Sequence, residues 1–299
     1  MNIKSIRSEI INRKLVNLSD KNPNNVYGVY ICIKIFLPYL IFLNLFNIFE
    51  NIFLVFIISI FSAIYAYKFS FIMHDCAHSS LFRSKKICYV VGYFFSLIVA
   101  TNFNTYRISH MNHHSSLGDK KLDNDYNEYT FKEKFIHLIE PLLFLRIFNF
   151  LKVNNRLNVN IKNKSKLIWL MFFLITQLII CIIVSDFGSK AENVIIYYLS
   201  LASIGLFLGR LRTTAEHGKF FNENAENLEF TKSHYPNFLD RFFFYEANFN
   251  FHLEHHLFPN ISSFYYYKIF DRIKSEIHNA KTLGSSMVKT IFNLKEKSL

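Results

Sequence analysis

The chain of 299 residues is 51% hydrophobic, carries a formal net charge of +12, and gathers much of its apolar content into runs near the length needed to cross a bilayer. That distribution excludes an ordinary water-soluble globular domain, and basic residues spread along the flanks of apolar runs do not form a nucleic-acid-binding module. Its 4 cysteines, Cys32, Cys76, Cys88 and Cys181, show no CxxC spacing, the pattern of buried reduced thiols rather than of disulfides, a zinc site or an iron–sulfur cluster.

In chain order, a polar segment, 1–28, comes first; it lacks the apolar core and small-residue cleavage site of a secretory signal. A first span is expected over Val29 to Phe49, interrupted by Lys34, Pro38, Asn44 and Asn47, and a cleaner one over Ile52 to Ser70. Ile87 to Thr101 is short for a span and suits a re-entrant or interfacial helix. Histidine-rich stretches at 74–78 and 110–114 flank it, so a site shared between them requires that it not cross. Phe131 to Leu151 mixes Lys132, Lys134 and Arg146 with Phe, Leu and Ile, the composition of a helix lying in the headgroup plane. Leu167 to Val184 and Val194 to Leu208 form a second hairpin around the polar turn "SDFGSKAEN". Beyond it, "SSFYYYKIFDRIKSEI" opens with serine caps and repeats apolar residues through Phe264, Tyr267, Phe270, Ile273 and Ile277, a helix whose expected role is packing.

Basic residues mark sidedness. Lys4, Arg7, Arg13, Lys14 and Lys21 precede the first span, Arg83, Lys85 and Lys86 follow the second, and Lys152, Arg156, Lys162, Lys164 and Lys166 precede the third. The hairpin tips hold little beyond Lys190, so both termini and the segments between hairpins are expected on the cytosolic side. The same charge suits contact with anionic lipid, and it also suits docking of an acidic electron-transfer protein. With no internal repeat and no flexible linker, one domain over 1–299 is expected, its 262–299 tail helical and cytosolic. The fold class is all-α: an integral membrane protein with about four transmembrane helices in two hairpins, interfacial helices, and a cytosolic helical cap carrying histidine-rich boxes.

Those boxes carry the chemistry. "HDCAH" places His74 and His78 at i, i+4, one turn apart on one helical face. "SHMNHHSSLGD" adds His110, His113 and His114, and "NFNFHLEHHLFPNI" adds His252, His255 and His256, each set at i, i+3, i+4. With 12 histidines in 299 positions, chance supplies an HxxHH string about 0.02 times. His217, in "RTTAEHGKF", is a ninth candidate just beyond the fourth span.

Eight or nine imidazoles exceed what one ion holds and argue for two, while imidazole ligation alone suits iron, zinc, copper and nickel alike. "HDCAH" differs from the zinc-protease string HExxH, because Asp75 replaces the glutamate base and six clustered histidines would go unused. Asp75, Glu216 and Glu254 stand next to or between these histidines and are candidate acceptors for the far ring nitrogens, with Asp119, Asp123 and Asp125 as further acidic positions.

The boxes HxxxH, HxxHH and HxxHH, in that order and with hairpins before the first and between the second and third, resemble those of the membrane fatty acid desaturase family over roughly Ile52 to Ile261. "HLEHHLFP" is close to that family's third box, and "LGDKKLDNDY" is loosely similar to the acidic stretch after its second. The resemblance implies a non-haem di-iron centre that uses dioxygen and two supplied electrons to put a double bond into a fatty acyl chain. Carried over by position, His74, His78, His110, His113, His114, His252, His255 and His256 would bind two iron ions, with His217 as ninth ligand. In the acyl-CoA desaturases an asparagine four residues before the ninth histidine assists through water; here that position is Thr213, a departure from that pattern.

The electrons would come from a separate protein of the ferredoxin or cytochrome b5 type, since neither terminus carries a fused haem-domain motif. A lipid or fatty acyl substrate would reach the site from the membrane, past aromatic residues of "YFFSL", "NFNTY" and "RFFFYEANFNF". Hydroxylation of a lipid or fatty acid, or carotenoid ketolation or hydroxylation, on the same site is the alternative outcome. A non-enzymatic metal carrier fits less well, because the histidines lie outside the spans.

Overall fold

The computed structural model describes residues 3–16, 24–119, 121–123, 126, 136, 140–141, 163–217, 227–277, 282–284, 286–287 and 289. Among them the chain is helical, apart from two-residue strands β1 (Ser233–His234) and β2 (Leu283–Gly284) that pair in parallel, Ser233 opposite Leu283. A short helix α1 (Ile3–Asn12) precedes α2 (Asn25–Leu45) and α3 (Ile52–Ala77), the first hairpin. The stretches Asn25–Leu45, Ile52–Ala77, Leu167–Val184 and Ala191–His217 are long and apolar enough to cross a membrane. A helix satisfies its own backbone where no water is present, which is why these apolar runs fold so. The fold is a membrane all-α class.

Four successive helices, from α2 onward, start on side-chain caps. Asn24, Asn51, Ser84 and Asn102 each accept a backbone N–H of the first turn, opening α2, α3, α4 (Lys85–Ile98) and α5 (Phe103–Ser115). Two spans outrun their hydropathy. α3 continues past Ser70 to Ala77, and the last span, made of α7 (Ala191–Ser200), a π turn at Leu201–Gly205 and α8 (Leu206–His217), continues past Arg210 and Arg212. Polar side chains end a hydropathy window, but the backbone ladder does not notice them, and both extensions end on histidines.

α4 and α5 meet at a break with a bend of 109°, so the chain turns back instead of crossing, and both flanking histidine stretches end up together. Two contacts secure the bend. A β-carbon on Gly92 of α4 would fall 2.4 Å from the Phe103 ring that opens α5, so only glycine admits this approach. The Leu97 carbonyl at the end of α4 accepts from Gln177 Nε2 at 2.7 Å, and Tyr198 donates to Gln177 Oε1 at 2.7 Å. Gln177 belongs to α6 (Asn163–Val184), so the third span caps the re-entrant helix.

Polar contacts also join the hairpins, at Tyr39 and Tyr197 (OH···OH 2.7 Å) and at Ser59 and Ser200 (Oγ···Oγ 2.7 Å). Lys68, buried in α3, pairs with Glu246 at 3.2 Å, and Lys34 of α2 meets the same carboxylate. Glu246 follows α9 (Phe238–Phe243) and precedes the third box, which it ties to the first hairpin.

After the third box, α11 (Tyr266–Ile277) packs on α1 and on α10 (His252–Leu257) through Ile6, Ile10, Leu253, Leu257, Ile269 and Ile273. Its buried stripe is Tyr266, Ile269, Phe270 and Ile273; Phe264 and Tyr267, expected in that stripe, are 38% and 58% exposed. The apolar residues at 264–267 run consecutively, so the helical phase was ambiguous there. The expected interfacial helix at Phe131 to Leu151 falls almost wholly outside the described residues.

Replacing Gln177 with leucine removes the side-chain donor to the Leu97 carbonyl and the acceptor of the Tyr198 hydroxyl. We expect a loss of about 1–3 kcal/mol, read from equilibrium unfolding in mixed micelles, and an unchanged midpoint would contradict the capping role.

Candidate metal centre

Three longer helices and one short one meet at one end of the bundle. α3 brings His74 in its last turn and His78 at its C-cap, α5 brings His110, His113 and His114, α8 ends on His217, and α10 brings His252, His255 and His256. Ring nitrogens of His74, His78, His110, His114 and His255 lie within 4.8 Å of one another, as do those of His113, His217 and His256. His252 joins the second group, its Nε2 standing 2.8 Å from that of His217 and 3.1 Å from that of His256. The groups adjoin, with ring centroids of His114 and His256 4.3 Å apart.

The boxes are shared between the groups. His110 and His114, one turn apart on α5, face the first group, and His113 faces the second. On α10 the allocation reverses, with His255 in the first and His252 and His256 in the second. The i, i+4 pairs stay together and the i+3 position turns to the neighbour, a division that "three rings on one face" does not anticipate.

Contacts behind the rings orient them. His113 Nδ1 lies 2.8 Å from Asp123 Oδ1, and His217 Nδ1 lies 2.8 Å from the Phe230 carbonyl oxygen. A carboxylate and a carbonyl only accept, so each Nδ1 carries the ring proton and each Nε2 presents a lone pair inward. His255 Nδ1 lies 2.8 Å from the Tyr266 hydroxyl, and His252 Nδ1 lies 3.7 Å from Glu216 Oε2, which also faces Arg212 Nε at 3.4 Å. Asp75 accepts from Ser263 Oγ at 2.6 Å and Ser80 Oγ at 3.3 Å, and Glu254 accepts from Ser233 Oγ at 2.6 Å. Those two acids thus brace α3 and α10 against neighbouring segments. Asp119 accepts the N–H groups of Lys121 and Leu122 in a tight turn, and Asp125 lies outside the described residues. Thr213 lies one turn before His217 on α8.

Tyr266, the Phe230 carbonyl and Ser263 were not anticipated from the sequence. Tyr266 reads as one more apolar position in a packing helix, and a main-chain carbonyl has no side-chain signature at all. Of the aromatic stretches expected near the site, "NFNF" and "NFNTY" reach it, with Phe249 edge-on to His74 at 4.9 Å and Tyr106 stacked on His110 at 5.7 Å, and Phe71 in turn lies 4.9 Å from Phe249.

The sequence profile of the fatty acid desaturase family matches residues 51–283, a segment that takes in all nine of these histidines. The chain belongs to the fatty acid desaturase family. A relative from Synechocystis, described as an sn-1 acyl-lipid omega-3 desaturase (ferredoxin), is 29% identical over 91 residues, 28% of this chain. The chain spans about a quarter of that relative's length, 25%. Fatty acid desaturases are oxidoreductases, and the family uses iron.

The donor set of this chain fits such a metal. Both ring nitrogens of His74 and Nδ1 of His78 are buried without a hydrogen-bond partner among the described residues. Nitrogens bound to one ion at about 2.1 Å stand about 3.0 Å apart at a right angle, and the observed Nε2 contacts run from 2.7 to 3.1 Å. Burial pushes His78 down to about 3, and burial with neighbouring imidazoles holds His252, His255 and His256 well below the ordinary value. These rings are neutral, the form that ligates.

A depressed value keeps the neutral form populated down to acid pH. Metal affinity of the folded protein should therefore stay flat from about pH 8 to about pH 5, whereas ordinary histidines begin to lose ligands near about 6.5. Equilibrium dialysis against a divalent metal reads this directly, and a fall centred near about 6.5 would contradict it.

Proposed function

We propose that the protein is a membrane-bound fatty acid desaturase whose nine histidines hold two iron ions and whose substrate is an acyl chain carried by a lipid or a thioester. The observation that carries this reading is the pair of adjoining groups, His74, His78, His110, His114 and His255 beside His113, His217, His252 and His256, built from all three boxes and the ninth histidine. Family membership supports the reaction class, and the name of the Synechocystis relative supports an acyl-lipid substrate with ferredoxin as donor. The whole chain, 1–299, acts as one unit in this reading.

Iron bound there supplies the dioxygen-dependent two-electron oxidation that takes two hydrogens from adjacent methylenes, chemistry beyond acid or base side chains. The protein's own part is geometric. Asp123 and the Phe230 carbonyl hold the Nδ1 protons of His113 and His217, so those rings keep Nε2 free to bind. Phe249 and Phe71 form an apolar wall beside His74 that excludes water and offers a surface to a hydrocarbon chain. Glu246, fixed by Lys68, holds the approach to the third box against α3. The basic flanks of the spans support an active site and termini on the cytosolic side, where an acidic one-electron donor docks.

Lipid profiling of cells with and without the active gene tests the proposal. Desaturation lowers the mass of a fed acyl chain by about two units, and hydroxylation raises it by about sixteen. His255→Ala should abolish the unsaturated product, by at least about 100-fold. An unsaturated product that persists in that variant sinks the site, and a hydroxylated product in the wild type sinks the reaction.

A further inference from the structure

We infer that the two metal positions are electronically unequal, with Asp123 the positioning residue that makes the His113 position the easier of the two to oxidise. This rests on the proposed two-iron reading and adds an order of reduction to it.

The inequality is visible behind the rings. In the second group His113 Nδ1 faces a carboxylate oxygen of Asp123 at 2.8 Å, and His217 Nδ1 faces a main-chain carbonyl at 2.8 Å. In the first group His255 Nδ1 faces a neutral phenol, Tyr266, at 2.8 Å, and the Nδ1 atoms of His74 and His78 are buried with no hydrogen-bond partner among the described residues. An anionic acceptor on Nδ1 draws the ring proton away and strengthens the donor at Nε2, which favours the more highly charged metal; a phenol or an absent partner does so less. Glu216 adds negative charge on the same side, since one of its oxygens lies within 4.8 Å of ring nitrogens of His217 and His252 and its Oε1 is buried with no hydrogen-bond partner among the described residues, while Arg212, 3.4 Å from Oε2, offsets part of that charge.

Asp123 is built to hold this place. It is 5% exposed, its Oδ1 meets His113, and its Oδ2 accepts the Gly118 N–H at 3.0 Å. Gly118 has a φ of +80°, and a β-carbon there would fall 2.5 Å from the Phe230 ring, while the Phe230 carbonyl holds His217. One turn after the second box therefore orients ligands from two distant helices. With iron held in both groups, the five-histidine position would have the higher ferric–ferrous potential and would take the first electron from a one-electron donor protein, and the position Asp123 supports would take the second.

The full-length protein, loaded with ⁵⁷Fe in lipid nanodiscs, provides the test. Iron content is measured first, and then a potentiometric titration is followed by Mössbauer and electron paramagnetic resonance spectroscopy. The wild type should reduce in two resolved one-electron steps. Asp123→Asn keeps the shape and an acceptor oxygen but loses the charge; it should raise the lower potential alone by about tenfold in the ferric–ferrous equilibrium, about 59 mV for one electron. Asp123→Glu should restore it. Tyr266→Phe should move the upper step alone, and it carries the test if Asp123→Asn does not retain iron. Unmoved steps in Asp123→Asn, equal movement of both, or a lower step moved by Tyr266→Phe overturns the inference. A chain holding fewer than two irons overturns the two-metal reading and this inference with it, and the iron content separates that result from an unmoved potential.

Discussion

Nine imidazoles with ring nitrogens crowded together in a buried space repel one another unless a cation lies between them, and the rest of the molecule is arranged around that requirement. Their Nε2 atoms approach to 2.7–3.1 Å, and burial keeps His78, His252, His255 and His256 neutral. Each orienting contact works from behind. Asp123, the Phe230 carbonyl and Tyr266 hold the outer nitrogens, leaving the inner ones to meet. A metal ion converts this costly convergence into binding free energy, which is why folding and metal affinity are linked in such a site.

The membrane helices serve as rigid posts for that convergence. α3 and the last span run beyond their apolar stretches, so their terminal turns deliver His74, His78 and His217 where the bundle emerges. The bend of 109° between α4 and α5 returns the second box to the same end, and Gln177 adds a side-chain hydrogen bond to the Leu97 carbonyl where the helix is interrupted. Lys68 and Glu246 form a buried pair whose worth lies less in stability than in placement, since burying charges costs nearly what their attraction returns. By fixing Glu246 six residues before His252, the pair sets the entry of the third box.

Much of this was legible in the sequence. The two HxxHH boxes, HxxxH and the apolar runs carry their signals locally, through spacing and composition, and His217 stood out by its place after a span. The re-entrant helix followed from a length too short to cross, together with the demand that the first two boxes share a site. Less legible was the division of each box between two groups, because it depends on how α5 and α10 face each other across the centre. Tyr266 and the Phe230 carbonyl act through contacts that only the fold creates, and the span ends were misjudged because hydropathy stops at the first polar side chains while the helix continues.

The central claim is that one chain holds two metals in two neighbouring groups of histidines. Elemental analysis of iron per chain, in the purified protein and in His252→Ala, tests it most directly. The account predicts about two irons in the wild type and about one in the variant, whose five-histidine group is intact. A wild-type value of one or none, or a variant that loses both irons while remaining folded, would contradict it.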